Sequence, residues 1–567
     1  MKATLCLEAD DQGVEIAGAK IASPQNFARR LSVRRRHGRR RAVFHRQTMS
    51  NPVDRNDPQM TAPVPSTEPS ERDSRPEVDH PKSAIISGAV GSFMMFLGSF
   101  GVGWLASVSD LSRWPPIIFL RLNPFGVIFS VVLLAAGAML LVRSWLRLGQ
   151  KVRVWGPEAR SSTMKAVLAW GAPMMLAIPL FSRDVYAYIV QGQMVINGLN
   201  PYEEGFSQIS NWFSSGADGL WAQSPTPYGP LFLWLEEWVV WLSAGHQELS
   251  ILLFRLVALA GVVLCIIYIP KLAELHGINP NRALWLTVAN PLFLINFIAS
   301  VHNDALMIGL ALAGLYYTAT RKALLGVLLV TLSIAVKPVT IVFLPFIGLL
   351  WAGMGAGWGR KLFYWVLTAA ISFVLLGLLG LINGYGFGWI GAMSTPGSLW
   401  IWYSPVGIAG WAVATIFSAF GLDGWTFGNV VHLMGPAAAV VIILILVFKG
   451  NYERIIRRLA IAFGALVFLS PIIQSWYVVW LIPLFAATGI RSDWQVKTLY
   501  FLVSFFMIYS VSDQLDIAWF IDLDLNVARV IASLVAVGFA MYLIFVDSKT
   551  KRLFQRKLVD PGTAHQI

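Results

Sequence analysis

The chain has 567 residues, 56% of them hydrophobic and only 13% charged, about half the roughly 25% usual in soluble chains, and its mean hydropathy is +0.61. That composition excludes a string of soluble domains and describes an integral membrane protein, and the lack of long alternating strand patterns favours helices over an outer-membrane barrel. The net charge of +13 carries no nucleic-acid signal, because residues 1–48 alone hold eleven Lys/Arg against four Asp/Glu and so supply +7 of it.

Residues 1–82 read as a disordered, basic and Pro-rich cytoplasmic segment. Nine arginines between Arg29 and Arg46 lack an apolar face, and Asn51–Lys82 contains no aromatic residue. Such a segment could hold anionic lipid headgroups, or Met49 is the true start. It lacks the apolar core of a signal peptide. Cys6 and Cys265 lie far apart and form neither a disulfide framework nor a zinc site.

From residue 83 to 546 the chain reads as one transmembrane domain. Apolar runs at Ile85–Ala106, Ile117–Val142 and Lys165–Phe181 are each long enough, or nearly so, to cross roughly 30 Å of hydrocarbon. The loop between the second and third carries Arg143, Arg147, Lys151, Arg153, Arg160 and Lys165 against Glu158 alone, which places it in the cytoplasm by the positive-inside rule. The following segment, 182–248, is a large outer loop in which Arg183 faces seven Asp and Glu residues. Later basic turns at Lys271/Arg282, Arg321/Lys322, Arg360/Lys361, Lys449–Arg458 and Arg491/Lys497 alternate with acidic outward ones, and a basic cytoplasmic tail, 547–567, closes the chain. The alternation predicts an all-α polytopic bundle of about fourteen crossing helices, in the range of about 13 to 16. Pro230–Ala244, with the Glu236/Glu237 pair, and Pro405–Phe420 would break the alternation as spans, and are expected to lie in the outer interface at headgroup level.

Polar residues that resist a lipid explanation gather on the outer side. Ser182-Arg183-Asp184-Val185-Tyr186-Ala187-Tyr188 runs on through Gln191 to Asn200-Pro201-Tyr202, a mouth whose carboxylate, amide and phenol groups suit sugar hydroxyls. An isolated Asp at a membrane edge is most often a helix cap; this one has company. Ser224–Pro230 contains three prolines and a glycine around Tyr228, which serves either as a rigid turn or as a ligand contact. His302-Asn303-Asp304 stands at a helix entrance after an apolar run, where ionisable groups are costly unless used. Lys337-Pro338 interrupts about thirty mostly apolar residues; phosphate is the natural partner for the ammonium, and snorkelling to the interface is the alternative. Gln474-Ser475-Trp476-Tyr477 and Gly386–Tyr403, with Trp389, Trp400 and Trp402, are aromatic outward segments of the kind that interfacial belts also contain. No Walker loop, GxGxxG, HExxH or GxSxG motif is present.

An external carboxylate, a cation at headgroup depth and an apolar bundle together fit a sugar donor carried on a lipid phosphate. The motifs SRDVYAY, GLNPY, TPYGPLFLW, VHNDALM, VKP, GFGWI and QSWYVVWLIP, spread in that order over Ala84–Val546, resemble those of the polyprenyl-phosphomannose-dependent α-1,6-mannosyltransferases of mycobacteria and corynebacteria. Among the branches of that family they look closer to the one that starts the mannan core of lipomannan. The resemblance implies a type C glycosyltransferase fold in the plasma membrane, with both termini cytoplasmic. It implies Asp184 as the base that takes the proton from a mannose 6-hydroxyl, with inversion at the donor carbon. Lys337 and Arg183 would meet the charge of the departing lipid phosphate. Tyr186, Tyr188, Gln191, Asn200, Tyr202, Tyr228, His302, Asn303, Asp304, Gln474, Trp476 and Tyr477 are the candidate sugar contacts. The implied partners are polyprenyl-phosphate-mannose, a lipid-anchored mannoside acceptor and membrane lipids, with no cofactor, no obligatory metal and no nucleic acid. The alternatives are a type C transferase for another sugar and a flippase or transporter for a lipid-linked saccharide; the latter would be expected to show inverted repeats with paired broken helices, and none is visible.

Overall fold

The computed structural model describes residues 81–152, 155–393, 401, 403–518 and 520–555. The N-terminal segment through residue 80, Arg153, Trp400, Trp402 and most of the basic tail lie outside them. Among the described residues the chain is all helix and turn, and it is a multi-pass membrane protein. Among the described residues, seven helices are long and apolar enough to cross: Lys82–Val102, Pro124–Lys151, Gln247–Leu275, Trp358–Ile382, Gly424–Phe448, Trp494–Asp513 and Leu525–Val546. Pro280–Thr287 and Pro291–Ala299 form an eighth span bent by 59°, and five further apolar helices have 10–17 residues. At about 1.5 Å per residue each of these five is shorter than the roughly 30 Å hydrocarbon layer. The lipid-facing sides are apolar, with Leu381, Leu433 and Phe545 more than 70% exposed.

Local sequence explains where helices begin and stop. Proline occupies the first turn of the helices starting at Pro115, Pro124, Pro157, Pro230, Pro280, Pro291 and Pro405, where its missing N–H and fixed φ are harmless. The same chemistry divides the expected second span into Pro115–Leu122 and Pro124–Lys151, since Asn123 caps the latter by accepting from the Phe125 N–H. The third expected span starts earlier, at Pro157, and ends at Met174, so residues 175–183 are irregular. Pro173 and Pro179 account for the early stop.

The two helices expected at the interface have distinct packing partners. Pro405–Ala419 packs antiparallel along Gly424–Phe448, with Gly410 against Gly428 and Phe417 stacked on Phe427 at 4.0 Å. In Pro230–Leu242, Glu237 is partly exposed, but Glu236 is wholly buried, because its side of the helix packs on Asp184–Ile196.

Helix packing brings the functional segments to one place. Asp304–Ala319 and Ala323–Val336 form an antiparallel hairpin of nearly equal arms, so its two ends, Asp304 and Lys337, become neighbours although 33 residues apart. Small residues permit the close crossings: Gly261 and Gly309 let Gln247–Leu275 meet Asp304–Ala319 backbone to backbone, and a Cβ at Gly261 would lie 2.1 Å from the Ala305 carbonyl carbon. Buried Arg255 on Gln247–Leu275 donates to the carbonyls of Met175, Ala177 and Ile298, tying the irregular 175–183 segment to the 295–303 turn. Those bonds satisfy non-helical backbone that would otherwise be costly in an apolar bundle.

Candidate active site

Two strained turns carry the central residues. Residues 295–299 form a π-helix, followed by Ser300 and by Val301 at φ 62°; Phe181, three residues before Asp184, sits at φ 65°. A β-branched residue in the left-handed region is unfavourable unless surrounding structure imposes it. Here the two turns hold each other: the Leu180 N–H donates to the Ala299 carbonyl, and the Ser300 hydroxyl donates to the Leu180 carbonyl at 2.7 Å.

Asp184 opens the Asp184–Ile196 helix, but its carboxylate is not the cap, since the Ser182 hydroxyl accepts from the Asp184 N–H. The carboxylate keeps 24% exposure and lies 3.2 Å from His302 Nδ1, off the line of a good hydrogen bond. His302 Nδ1 is also 3.8 Å from Asp304 Oδ2, and the His302 ring rests on Trp476 at 4.1 Å. Asp304 Oδ1 accepts from Lys337 Nζ and from Trp480 Nε1, both at 2.8 Å. The Lys337 ammonium is further surrounded by the rings of Tyr228, Tyr477 and Trp480 at 5.5–5.9 Å. The result is a continuous line, Asp184, His302, Asp304, Lys337, partly open at its first member and floored by aromatics. Burial alone would raise the Asp184 carboxyl, but the His302 contact and charge, together with Lys337, outweigh it and hold the group below its ordinary range.

Lys337 occupies the break between Ala323–Val336 and the turn at Pro338–Phe343, with only 13% of its side chain exposed. Its partner is Asp304 and not lipid. The TPYGP turn explains itself here: the Gly229 N–H donates to the Val336 carbonyl, and a Cβ at Gly229 would come within 2.4 Å of the Ala335 carbonyl oxygen, so only glycine lets Tyr228 dock beside the lysine.

The structure brings Asp184, Tyr188, Tyr228, His302, Asn303, Asp304, Lys337, Trp476 and Tyr477 into one cluster. Tyr188 accepts from the Asn303 N–H and stands edge-on to Tyr228, and Gln474 begins the Ser475–Thr488 helix, fastened by Ser475 to Asn296 at 2.8 Å. Three expected residues turn elsewhere. Arg183 donates to the Gly216 and Ala217 carbonyls and lies over Trp104 at 4.9 Å. Tyr186 is buried and donates to the Trp104 carbonyl, and Asn200 accepts from the Tyr202 N–H to form a turn. Arg183 and Tyr186 help line a separate cavity of about 190 Å³ with Trp104, Phe213, Gly216 and Asp516, the last paired with Arg121. Gln191 and Tyr202 also stand apart from the cluster, further along the 182–248 segment. Trp480 is a member that motif reading misses, although its place one turn beyond Trp476 in QSWYVVW is the signal that could have found it.

His302 Nε2, both amide atoms of Asn303, and Asp304 Oδ2 are buried without a hydrogen-bond partner among the described residues. Buried polar atoms left open in this way mark a place for a hydrogen-bonding ligand. Among the described residues, no group of three His, Cys, Asp or Glu side chains is arranged as a metal ligand set. The cluster offers a base, a cation for an anionic leaving group, and aromatic faces for a sugar ring.

Comparison with known proteins agrees with that chemistry. Residues 85–353 match the model described as "Alpha-(1->6)-mannopyranosyltransferase, N-terminal domain", and 404–542 match "MptB C-terminal domain". Alpha-(1->6)-mannopyranosyltransferase A of Mycobacterium tuberculosis is 30% identical over 404 residues, covering 69% of this chain and 78% of the relative. A probable alpha-(1->6)-mannopyranosyltransferase of Mycolicibacterium smegmatis is 28% identical over 451 residues, covering 73% and 80%, and alpha-(1->6)-mannopyranosyltransferase B of Corynebacterium glutamicum 26% over 458, covering 74% and 75%. No solved structure matches the chain. With a carboxylate, a buried lysine and aromatic rings in one cluster, and with these relatives along most of its length, the chain belongs to the α-(1→6)-mannopyranosyltransferase family and is a membrane glycosyltransferase.

Proposed function

We propose that the protein transfers mannose from polyprenyl-phosphate-mannose to the 6-hydroxyl of a mannose on a lipid-anchored acceptor, building the α-1,6-mannan of lipomannan on the outer face of the plasma membrane, in the branch that starts the core. The observation that carries this reading is the line from Asp184 through His302 and Asp304 to Lys337, which sets a proton acceptor and a cation at opposite ends of one site. Asp184 removes the proton as the acceptor O6 attacks the donor C1, and the C1–O bond to phosphate breaks. The β-linked donor gives an α product by inversion. Asp184, held ionised, takes the proton late, as the oxocarbenium-like centre forms. Lys337 meets the negative charge on the departing lipid phosphate, in a low-dielectric site where that interaction is strong. Asp304 and Trp480 hold the lysine in place, and Trp476 and Tyr477 offer faces for the sugar.

Purified protein in detergent, given polyprenyl-phosphomannose and an alkyl mannoside, should form an α-1,6-linked product; a flippase would form none, and that result would end the reading. Sidedness has its own test. A thiol at exposed Ser210 should react with an impermeant reagent on intact cells, and one at exposed Ser161 should not. Gly216 is a poor site for the outer thiol, since its φ is +91° and a Cβ there would meet the Tyr186 ring at 3.0 Å. Labelling at Ser161 alone would invert the topology.

A further inference from the structure

The cluster leaves two separate segments, GLNPY at 198–202 and GFGWI at 386–390, without a role, and a buried carboxyl stands between them. Glu236 is 0% exposed, and neither carboxyl oxygen has a hydrogen-bond partner among the described residues. The Tyr202 hydroxyl, Gln191 Oε1 and the Trp389 indole N–H are also buried and unpartnered. Four open polar groups in one region contrast with the rule that buried polar atoms are paired.

Packing places them together. Gly192, next to Gln191, lies against the Glu236 backbone so closely that a Cβ there would come within 2.5 Å of the Glu236 carbonyl oxygen. Glu236 is near enough to Tyr202 and Tyr228 to act electrostatically on both phenols. The Tyr202 ring meets Gly388, beside Trp389, and stands edge-on to Tyr385 at 6.0 Å; Tyr385 in turn donates to the Leu199 carbonyl at 2.9 Å. The walls are therefore held by backbone contacts, and the polar tips are free. Gln191 follows Asp184 by seven residues, two turns along the same helix face, or about 10 Å. That distance reaches past the sugar carrying the reacting hydroxyl.

We infer that Glu236, with Tyr202, Gln191 and Trp389, forms an acceptor subsite that binds hydroxyls of a second sugar beyond the one being mannosylated. A protonated carboxyl both donates and accepts, as do phenol and amide groups in combination, which matches sugar hydroxyls. Burial raises the Glu236 carboxyl well above its ordinary range, which supports the neutral form and argues against a cation as the occupant. The inference rests on the transfer reading above for the identity of the sugar.

The test compares octyl α-mannoside with octyl α-1,6-dimannoside, using Glu236→Leu, Glu236→Gln and Tyr202→Phe in the full chain. Binding of each glycoside is measured by calorimetry in detergent, and transfer by the KM for each acceptor and for the donor. The parent should prefer the dimannoside; Glu236→Leu and Tyr202→Phe should each weaken its binding about five- to tenfold, the range for losing one buried hydrogen bond. Affinity for the monomannoside and the donor KM should stay unchanged, and Glu236→Gln, which keeps a donor and an acceptor, should stay nearer the parent. Thermal melts report folding, and Tyr202→Phe decides the matter if Glu236→Leu does not fold. Unchanged dimannoside binding in the variants, or an equal rise in donor KM, overturns the subsite. A parent that binds the dimannoside with the expected variant losses but transfers nothing overturns the transfer reading and leaves the subsite standing.

Discussion

Asp304 and Glu236 are both fully buried carboxyl groups in the same domain, yet Asp304 accepts from Lys337 and Trp480, and Glu236 accepts from no group among the described residues. The first is tied through one oxygen to a cation and an indole while its Oδ2 stays open, whereas the second has both oxygens open. Burying a charge without partners is costly, and a partner cation offsets that cost. The two regions thus differ in kind: one pairs a carboxyl with a lysine, the other gathers polar groups that have no partner among the described residues. Asp184 stands with the first but is partly open, as the proposed base has to be to reach substrate.

The largest effect should come from the charged region. Asp184→Asn keeps the shape and removes the base, so turnover should fall by about 10² to 10⁴-fold with expression retained, measured as initial rates of mannose transfer. Near-parental rates would move the base to Asp304.

Lys337→Met strands Asp304 in the interior, and breaking a buried pair costs about 3–5 kcal/mol, read as a fall in melting temperature. In the surviving protein the donor KM should rise while the acceptor KM changes little, and Lys337→Arg should keep the charge but misplace it. Adding Asp304→Asn to Lys337→Met should recover much of the stability and none of the rate. A donor titration matching that of the parent would make the lysine purely structural.

A smaller shift tests His302. The proposed base Asp184 would work only when ionised, so activity should be lost as the pH falls through its pKa, which His302 and Lys337 hold down. His302→Gln removes one of those influences; the pKa rises, and the acid limb of the pH–rate profile should move to higher pH. An acid limb that stays in place would show that His302 does not act on Asp184.

The smallest effect belongs to the open region. Glu236→Gln removes a titratable group but no bond, so the melting temperature should stay within about 0.5 kcal/mol of the parent in free energy, against a clear loss for Asp304→Asn. Equal losses at the two positions would erase the contrast between them.

Much of the molecule is legible in one dimension, because the energy of putting polar groups into an apolar bundle is a local property. Low charge and long apolar runs announce membrane helices, and polar groups interrupting those runs at Asp184, His302–Asp304, Lys337 and Trp476 mark segments that converge in space. Proline and asparagine also mark helix starts, although the early stop at Met174 and the break at Asn123 come from caps and prolines that hydropathy does not weigh. What a side chain faces is a long-range property, and only the tertiary structure decides it. The hairpin of two matched helices gives Lys337 to Asp304 across 33 residues; the loop carbonyls of Gly216 and Ala217 draw Arg183 away from its neighbour Asp184; and the packing of Pro230–Leu242 on Gly192 sends Glu236 inward while Glu237 stays partly exposed. Adjacent residues on a helix point about 100° apart, so the sequence names the pair and the packing partner chooses between them.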